Sequence, residues 1–244
     1  MEVSPYGLQS LWSQGDLITK GVAVLLVAMS IASWYVMLTK GLQLWLLRRA
    51  SHAAGHQFWD TTNVDEGVAT LGRDNPFADL AHAGVNAMRH HAAHKGHLHD
   101  QLSVSDWITL SLRQAIDETA ARLQAGMAVL ASVGSTAPFV GLFGTVIGIL
   151  RALVKIGASG QASIDTVAGP VGEALIMTAI GLIVAVPAVL AFNWLQSRNK
   201  AISRSLSTFS NDVLGSIMSG GQVRPVAPAP AGKPAAPAAA PKKA

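Results

Sequence analysis

TAIGLIVAVPAVLAF, residues 178–192, is apolar in all but its first residue, and Glu173 stands five residues before that threonine. The stretch is too long and too uniform for a half-buried helix, which would show a polar face. It lies within the charge-free run Ala174–Leu195, 22 residues, against the roughly 20 that a helix needs to cross a hydrocarbon core of about 30 Å. Two further stretches are free of charge: Val22–Leu38 and Met127–Leu150. The first is short, but Leu17 and Ile18 lie upstream and Leu42, Leu44, Trp45 and Leu46 can extend it as an interfacial turn. Three such runs in one chain argue for an all-α integral membrane protein with three transmembrane helices.

The composition agrees. Half of the 244 residues are hydrophobic and 13% are charged, against about 25% charged in soluble domains. The chain has no cysteine, which excludes a disulfide framework, thiolate metal sites and cysteine catalysis. The net charge of +4 is modest, and the cations cluster beside apolar runs. That pattern sets membrane topology rather than nucleic-acid binding.

Lys40, Arg48, Arg49, Arg113, Arg122, Arg198, Lys200 and Arg204 fall on one side of the three runs, and Lys20, Arg151 and Lys155 on the other. Cation-rich flanks stay in the cytoplasm. The expected order is therefore a periplasmic amphipathic segment (1–16, with Leu8, Leu11 and Trp12 on one face), a first span (17–39), a helical cytoplasmic region (40–125), a second span (126–156), a short periplasmic loop (157–164), a third span (165–195), a cytoplasmic helical extension (196–222) and a disordered Pro/Ala tail (223–244). Glu2 and Asp16, in place of an early cationic cluster, argue against a cleaved signal peptide. Arg151 and Lys155 are expected to snorkel from a helix end.

Within the cytoplasmic region, Asn63-Val64-Asp65-Glu66 resembles a capping box and Asn75-Pro76 places a cap before a first-turn proline. Ser105 is a candidate cap for a helix on which Ile108, Leu112, Ile116 and Leu123 share a stripe, with Arg113–Asp117 and Glu118–Arg122 spaced to pair. Gly126 alone interrupts the path from that helix into the second span, so one continuous helix is the expectation. His90, His91, His94, His97 and His99 have spacings that could hold a metal. We read them as an exposed polar helix-to-loop stretch, and expect neither metal nor cofactor.

The second run carries Gly141, Gly144 and Gly148, small residues that let helices approach closely in lipid, together with Thr145 and Pro138. The third carries Pro187. It can start at Ser163 with Asp165 in its first turn, which puts Glu173 about 15 Å along the axis, or at Pro170, which leaves Glu173 at the rim. A carboxylate in hydrocarbon costs about 2.5–3.5 kcal/mol on insertion scales, and such residues face a bundle interior or a wet cavity. Hydrocarbon favours the neutral form of a carboxyl group, which suits proton relays. An intramembrane protease would need paired aspartates, a Ser-His pair or a histidine metal site, and the three runs contain no Asp or His. A passive scaffold would let Glu173, Thr145 and Thr178 be replaced by alanine with the proton-dependent function intact.

APFVGLFGTVIGI (137–149) and GPVGEALIMTAIGLIVAVPAVLAFN (169–193) closely resemble the two motif regions of the MotA/TolQ/ExbB proton-channel family. The resemblance extends to span order and the cytoplasmic middle, through most of residues 1–215, and leaves out the His cluster and the tail. It implies a homo-oligomeric ring, pentameric in the nearest branch, around single-span helices of an ExbD-type partner. That partner carries the protonatable aspartate, and a TonB-like protein is the energised client. It implies that Glu173, Thr145 and Thr178 line the proton pathway, with Glu173 supporting rather than carrying the proton. Pro187 matches a proline of the family's third span. The Tol envelope branch carries motifs of the same type and is the alternative.

Overall fold

The computed structural model describes residues 16–59, 61, 64–71, 75–93, 103–159 and 164–220. Among these there is no strand. Six helices follow one another: α1 (Leu17–Gln57), α2 (Val64–Thr70), α3 (Pro76–Ala93), α4 (Val104–Gln124), α5 (Met127–Ser159) and α6 (Ile164–Met218). Three stretches are long and apolar enough to cross a membrane, within Leu17–Leu47, Val104–Ala158 and Val167–Met218. The Leu8–Trp12 face, the Asn63 cap, the Ser163 cap, His94, His97, His99 and the Pro/Ala tail all lie outside the described residues.

The helices divide into two compact units. One takes the described residues up to His52 together with Gln114–Ser207, and the other Ala53–Arg113 together with Thr208 onward.

In the first unit the outer surface is the apolar one. Phe139 and Ile183 are each 70% exposed and Tyr35 is 69% exposed, an inversion that only lipid or another chain can accommodate. The interior is built from small residues, including Ala137, Ala152, Ala174, Ala185 and Ala188, with Leu26, Leu130, Met177 and Leu195 filling the gaps. Hydroxyls on the apolar helices bond to their own backbone: Thr39 Oγ1 to the Tyr35 carbonyl at 2.8 Å, Ser33 Oγ to Ser30 at 2.8 Å and Thr136 Oγ1 to Ser132 at 2.7 Å. This removes the cost of an unpaired donor in hydrocarbon.

The expected unbroken helix through Gly126 does not form. Gly126 takes φ 80°, α4 ends at Gln124 and α5 starts at Met127. A left-handed glycine is the usual way to end a helix. Two of the carbonyls freed there are taken up by side chains: Lys40 Nζ donates to the Arg122 carbonyl at 2.9 Å, and Asn199 Nδ2 to the Leu123 carbonyl at 3.0 Å. The turn is thereby tied to both α1 and α6.

The second unit has a conventional core. Phe58, Phe77 and Phe209 pack edge to face, with centroids 5.0 Å apart for Phe58–Phe209 and 5.4 Å for Phe77–Phe209, and Ile108, Leu112 and Val213 are buried. Asn75 caps α3, its Oδ1 accepting from the Phe77 N–H at 3.1 Å. The cap of α4 is Ser103, two residues before the expected Ser105. The Asp106 N–H donates to Ser103 Oγ at 3.1 Å, and Ser103 Oγ donates to the Asp106 carboxylate at 2.7 Å. Of the expected stripe, Ile108 and Leu112 are buried in this unit; the rest of α4 belongs to the first unit, where Leu123 is buried and Glu118–Arg122 pair at 3.9 Å. His90 stacks on Trp107 at 6.2 Å between centroids. Among the described residues no three His, Asp or Glu side chains converge as metal ligands.

Candidate functional site between α5 and α6

The glycines of α5 lie against α6 of the same chain. A Cβ on Gly141 would sit 2.8 Å from the Met177 carbonyl oxygen, one on Gly148 2.7 Å from Ala174 Cβ, and one on Gly144 3.1 Å from Met177 Cβ. From the other side, a Cβ on Gly181 would come 2.7 Å from the Ala137 carbonyl oxygen. Gly181 lies outside the glycine-rich run of α5, and its position eight residues after Glu173 on α6 is the one signal for it in the sequence. The helices run through Pro138, Pro170 and Pro187.

This backbone approach lets short side chains bridge the helices. Thr145 is buried, and its Oγ1 lies 3.2 Å from the Gly141 carbonyl of its own helix and 3.1 Å from the Ala174 carbonyl of α6. It also meets Thr178 Oγ1 directly. One hydroxyl proton shared between two carbonyls leaves Thr145 oxygen lone pairs for the Thr178 proton. The two threonines form one polar unit in an otherwise apolar interface.

Helix α6 starts at Ile164 and carries Pro170 inside it, so Glu173 lies about 14 Å along the axis from the first residue. The earlier of the two possible starts is the one adopted. Glu173 is half-buried and lines a cavity of about 360 Å³ with Asp16, Leu150, Arg151, Val154, Lys155 and Pro170. A neighbouring void of about 10 Å³, at the threshold for a single water, has Glu173, Gly144, Gly148 and Thr19 in its wall. Missing side chains at the two glycines leave that space open beside the carboxylate. Neither Thr145 nor Thr178 lines either cavity. Glu173 therefore faces a different side of α6 from the threonine pair, as the 140° rotation between positions five apart requires.

Arg151 does not extend freely away from its helix end. Its guanidinium pairs with the Asp16 carboxylate, and Nη1 donates to Thr19 Oγ1 at 3.2 Å. This joins the start of α1 to α5 next to the Glu173 cavity. No local pattern marks this pair, because the partners stand 135 positions apart.

Three helices long and apolar enough to cross a membrane, a hydroxyl pair sealed between two of them and a carboxylate lining a polar-edged cavity define a helical membrane protein with polar groups inside its apolar bundle. Comparison with known proteins narrows this. The chain belongs to the MotA/TolQ/ExbB proton channel family, whose sequence pattern matches residues 73–208. It is 43% identical to the biopolymer transport protein ExbB of Xanthomonas campestris pv. campestris over 87% of both chains. It is 37% identical to the ExbB of Neisseria meningitidis over 84% of this chain and 94% of that one. A Tol-Pal system protein TolQ from Pseudomonas aeruginosa is 33% identical over 83% of this chain and 89% of its own.

Proposed function

We propose that this chain is an inner-membrane, ExbB-like stator subunit. It forms a homo-oligomeric ring, pentameric by family likeness, around an ExbD-like single-span partner that carries the protonatable aspartate. Proton entry then energises a TonB-like protein for outer-membrane uptake. The reading places the amino terminus in the periplasm and the carboxyl tail in the cytoplasm, following the cation-rich flanks of the apolar helices. It assigns no catalytic residue to the chain.

The observation that carries it is the join of Thr145 to Thr178 across α5 and α6, on the helix that also presents Glu173 to a cavity. Hydroxyls and a carboxylate can hold water in a low-dielectric interior and solvate a carboxylate brought by a partner. A proton crossing the membrane releases about 2.3 kcal/mol per 100 mV, enough to drive a conformational stroke. The higher identity to ExbB relatives favours the TonB branch. The TolQ relative keeps a Tol-Pal role as the second reading.

The test is proton-gradient-dependent uptake of an iron chelate in cells lacking their own subunit. Glu173→Ala, Glu173→Gln and Thr178→Ala are set beside the unmutated chain at matched membrane levels. Uptake restored by the unmutated chain and lost in assembled Ala variants is expected. Full uptake by all the variants would reduce the chain to a scaffold. Restored envelope integrity without uptake would transfer the role to the Tol system.

A further inference from the structure

A second feature of the first unit belongs to neither the threonine pair nor the Glu173 cavity. Where the turn at Gly126 separates α4 from α5, a groove of about 600 Å³ opens against α6, within the size range of small-ligand sites. Its lining is graded along its length. Met127, Ala128 and Phe192 form one end; Lys200, Arg204 and Ser207 form the other. Gln124, Gln196 and Ser203 line the middle, and no carboxylate lines it at all.

The grading follows depth. Met127 and Ala128 open the apolar run of α5, and Phe192 stands near the close of that of α6. Two turns past Phe192 comes Lys200, about 12 Å further along the axis. That distance is enough to cross the interfacial layer of roughly 5–8 Å on each side of the hydrocarbon. At the same depth, on another face of α6, Trp194 is half exposed and carries the Arg198 guanidinium 5.9 Å from its ring centroid. An amphipathic aromatic with a cation over it is the mark of the headgroup level.

We infer that this groove seats the headgroup and glycerol end of an anionic phospholipid from the leaflet at the Lys200 side. Lys200 and Arg204 take the phosphate, the amides and Ser207 take headgroup hydroxyls, and the Phe192–Met127 end receives the start of the acyl chains. A free anion gains nothing from the apolar end, and a zwitterionic lipid brings no net charge to the two cations.

The test uses the full chain in nanodiscs of phosphatidylcholine containing phosphatidylglycerol with the same acyl chains, and reads the ratio of the two lipids retained by native mass spectrometry. A cation in direct contact with the bound anionic headgroup is taken at about fivefold in affinity. K200Q with R204Q should therefore lower the phosphatidylglycerol preference by roughly 25-fold, whereas Phe192→Ala should lower the amount of both lipids retained and leave their ratio unchanged. Arg198→Gln removes the same charge at the same depth outside the groove and should leave the ratio within about twofold. Equal losses in Arg198→Gln and Lys200→Gln would reduce the effect to general surface charge and overturn the assignment. So would unchanged retention in the double variant. Displacement of phosphatidylglycerol by glycerol 3-phosphate at matched concentration would instead make the groove a site for soluble anions. Should the double variant fail to assemble, the single variants carry the same reading at about fivefold each.

Discussion

Gly141→Ala tests the packing that brings the threonines together. The new Cβ would lie 2.8 Å from the Met177 carbonyl oxygen and 3.1 Å from Gly181 Cα. Both are backbone atoms, so no rotamer change relieves the contact. A carbon beside a carbonyl oxygen settles at about 3.3–3.6 Å, so α5 and α6 must part by about 0.5 Å. A gap of that size forfeits roughly a quarter of the dispersion well for the atoms lining it, and overpacking of this kind costs about 1–3 kcal/mol. It also stretches the Thr145 Oγ1 to Ala174 carbonyl bond from 3.1 Å past hydrogen-bonding range, a further loss of about 1 kcal/mol. Alanine returns about 1 kcal/mol in helix propensity over glycine. The net expectation is a loss of about 1–3 kcal/mol, with impaired proton-driven uptake. Gly41→Ala is the control: nothing lies within 4 Å of its Cβ position, so only the propensity gain applies. Equilibrium unfolding in mixed micelles by dodecyl sulfate titration, followed by tryptophan fluorescence, measures both. Equal stability of the two variants, with uptake intact in Gly141→Ala, would refute the close-approach argument.

Three further outcomes are expected. Thr145→Val keeps the side-chain shape but leaves the Thr178 hydroxyl facing a methyl group; it should cost about 1–2 kcal/mol in the same titration and lower uptake, whereas Thr145→Ser should retain most of both. Phe209→Ala removes the ring shared by Phe58 and Phe77 and should destabilise the second unit by about 3–5 kcal/mol, read as faster amide exchange in α3 with the exchange of α5 unchanged. Burial raises the Asp212 carboxyl above its ordinary value, so its contribution to stability is present at acid pH and lost as pH rises through that raised value. Asp212→Asn should be the more stable form at neutral pH, and a pH series of thermal unfolding should show the difference closing as the pH falls toward the ordinary aspartate value of about 3.9.

The spans were legible because lipid imposes one simple rule on sequence. A helix in hydrocarbon must be apolar around its whole circumference, and no tertiary contact can excuse a long charged run. The α3 cap was legible for a similar reason, since Asn75 and Pro76 act on their own helix end. Errors arose where local rules competed. Ser103 and Ser105 are both good caps by type, and the acidic residue three positions on decides between them: Ser103 has Asp106 to reciprocate, and Ser105 has Ile108. Gly126 is the lone breaker in its stretch, but what makes it end the helix is Asn199 and Lys40 arriving from distant segments to take the freed carbonyls.

The site divides along the same line. Residue type alone pointed to Glu173, because a carboxylate beside hydrocarbon is costly enough to demand a reason. Thr145 and Thr178 are different, since threonines in apolar helices are common and usually bond to their own turn. Thr136 does just that. What separates Thr145 from Thr136 is the facing backbone. Thr145 stands on the glycine face, one turn from Gly141, where α6 comes close enough to offer the Ala174 carbonyl. Thr136 stands on an exposed face and has only its own helix to bond. The polar join is therefore a consequence of the glycines, and the glycines of α5 matter only because Gly181 and Ala174 answer them on α6. It follows that the threonine pair and the helix approach should fail together: a double variant of Gly141→Ala with Thr145→Val should lose less than the sum of the two single losses, because the first change has already broken the bond that the second removes.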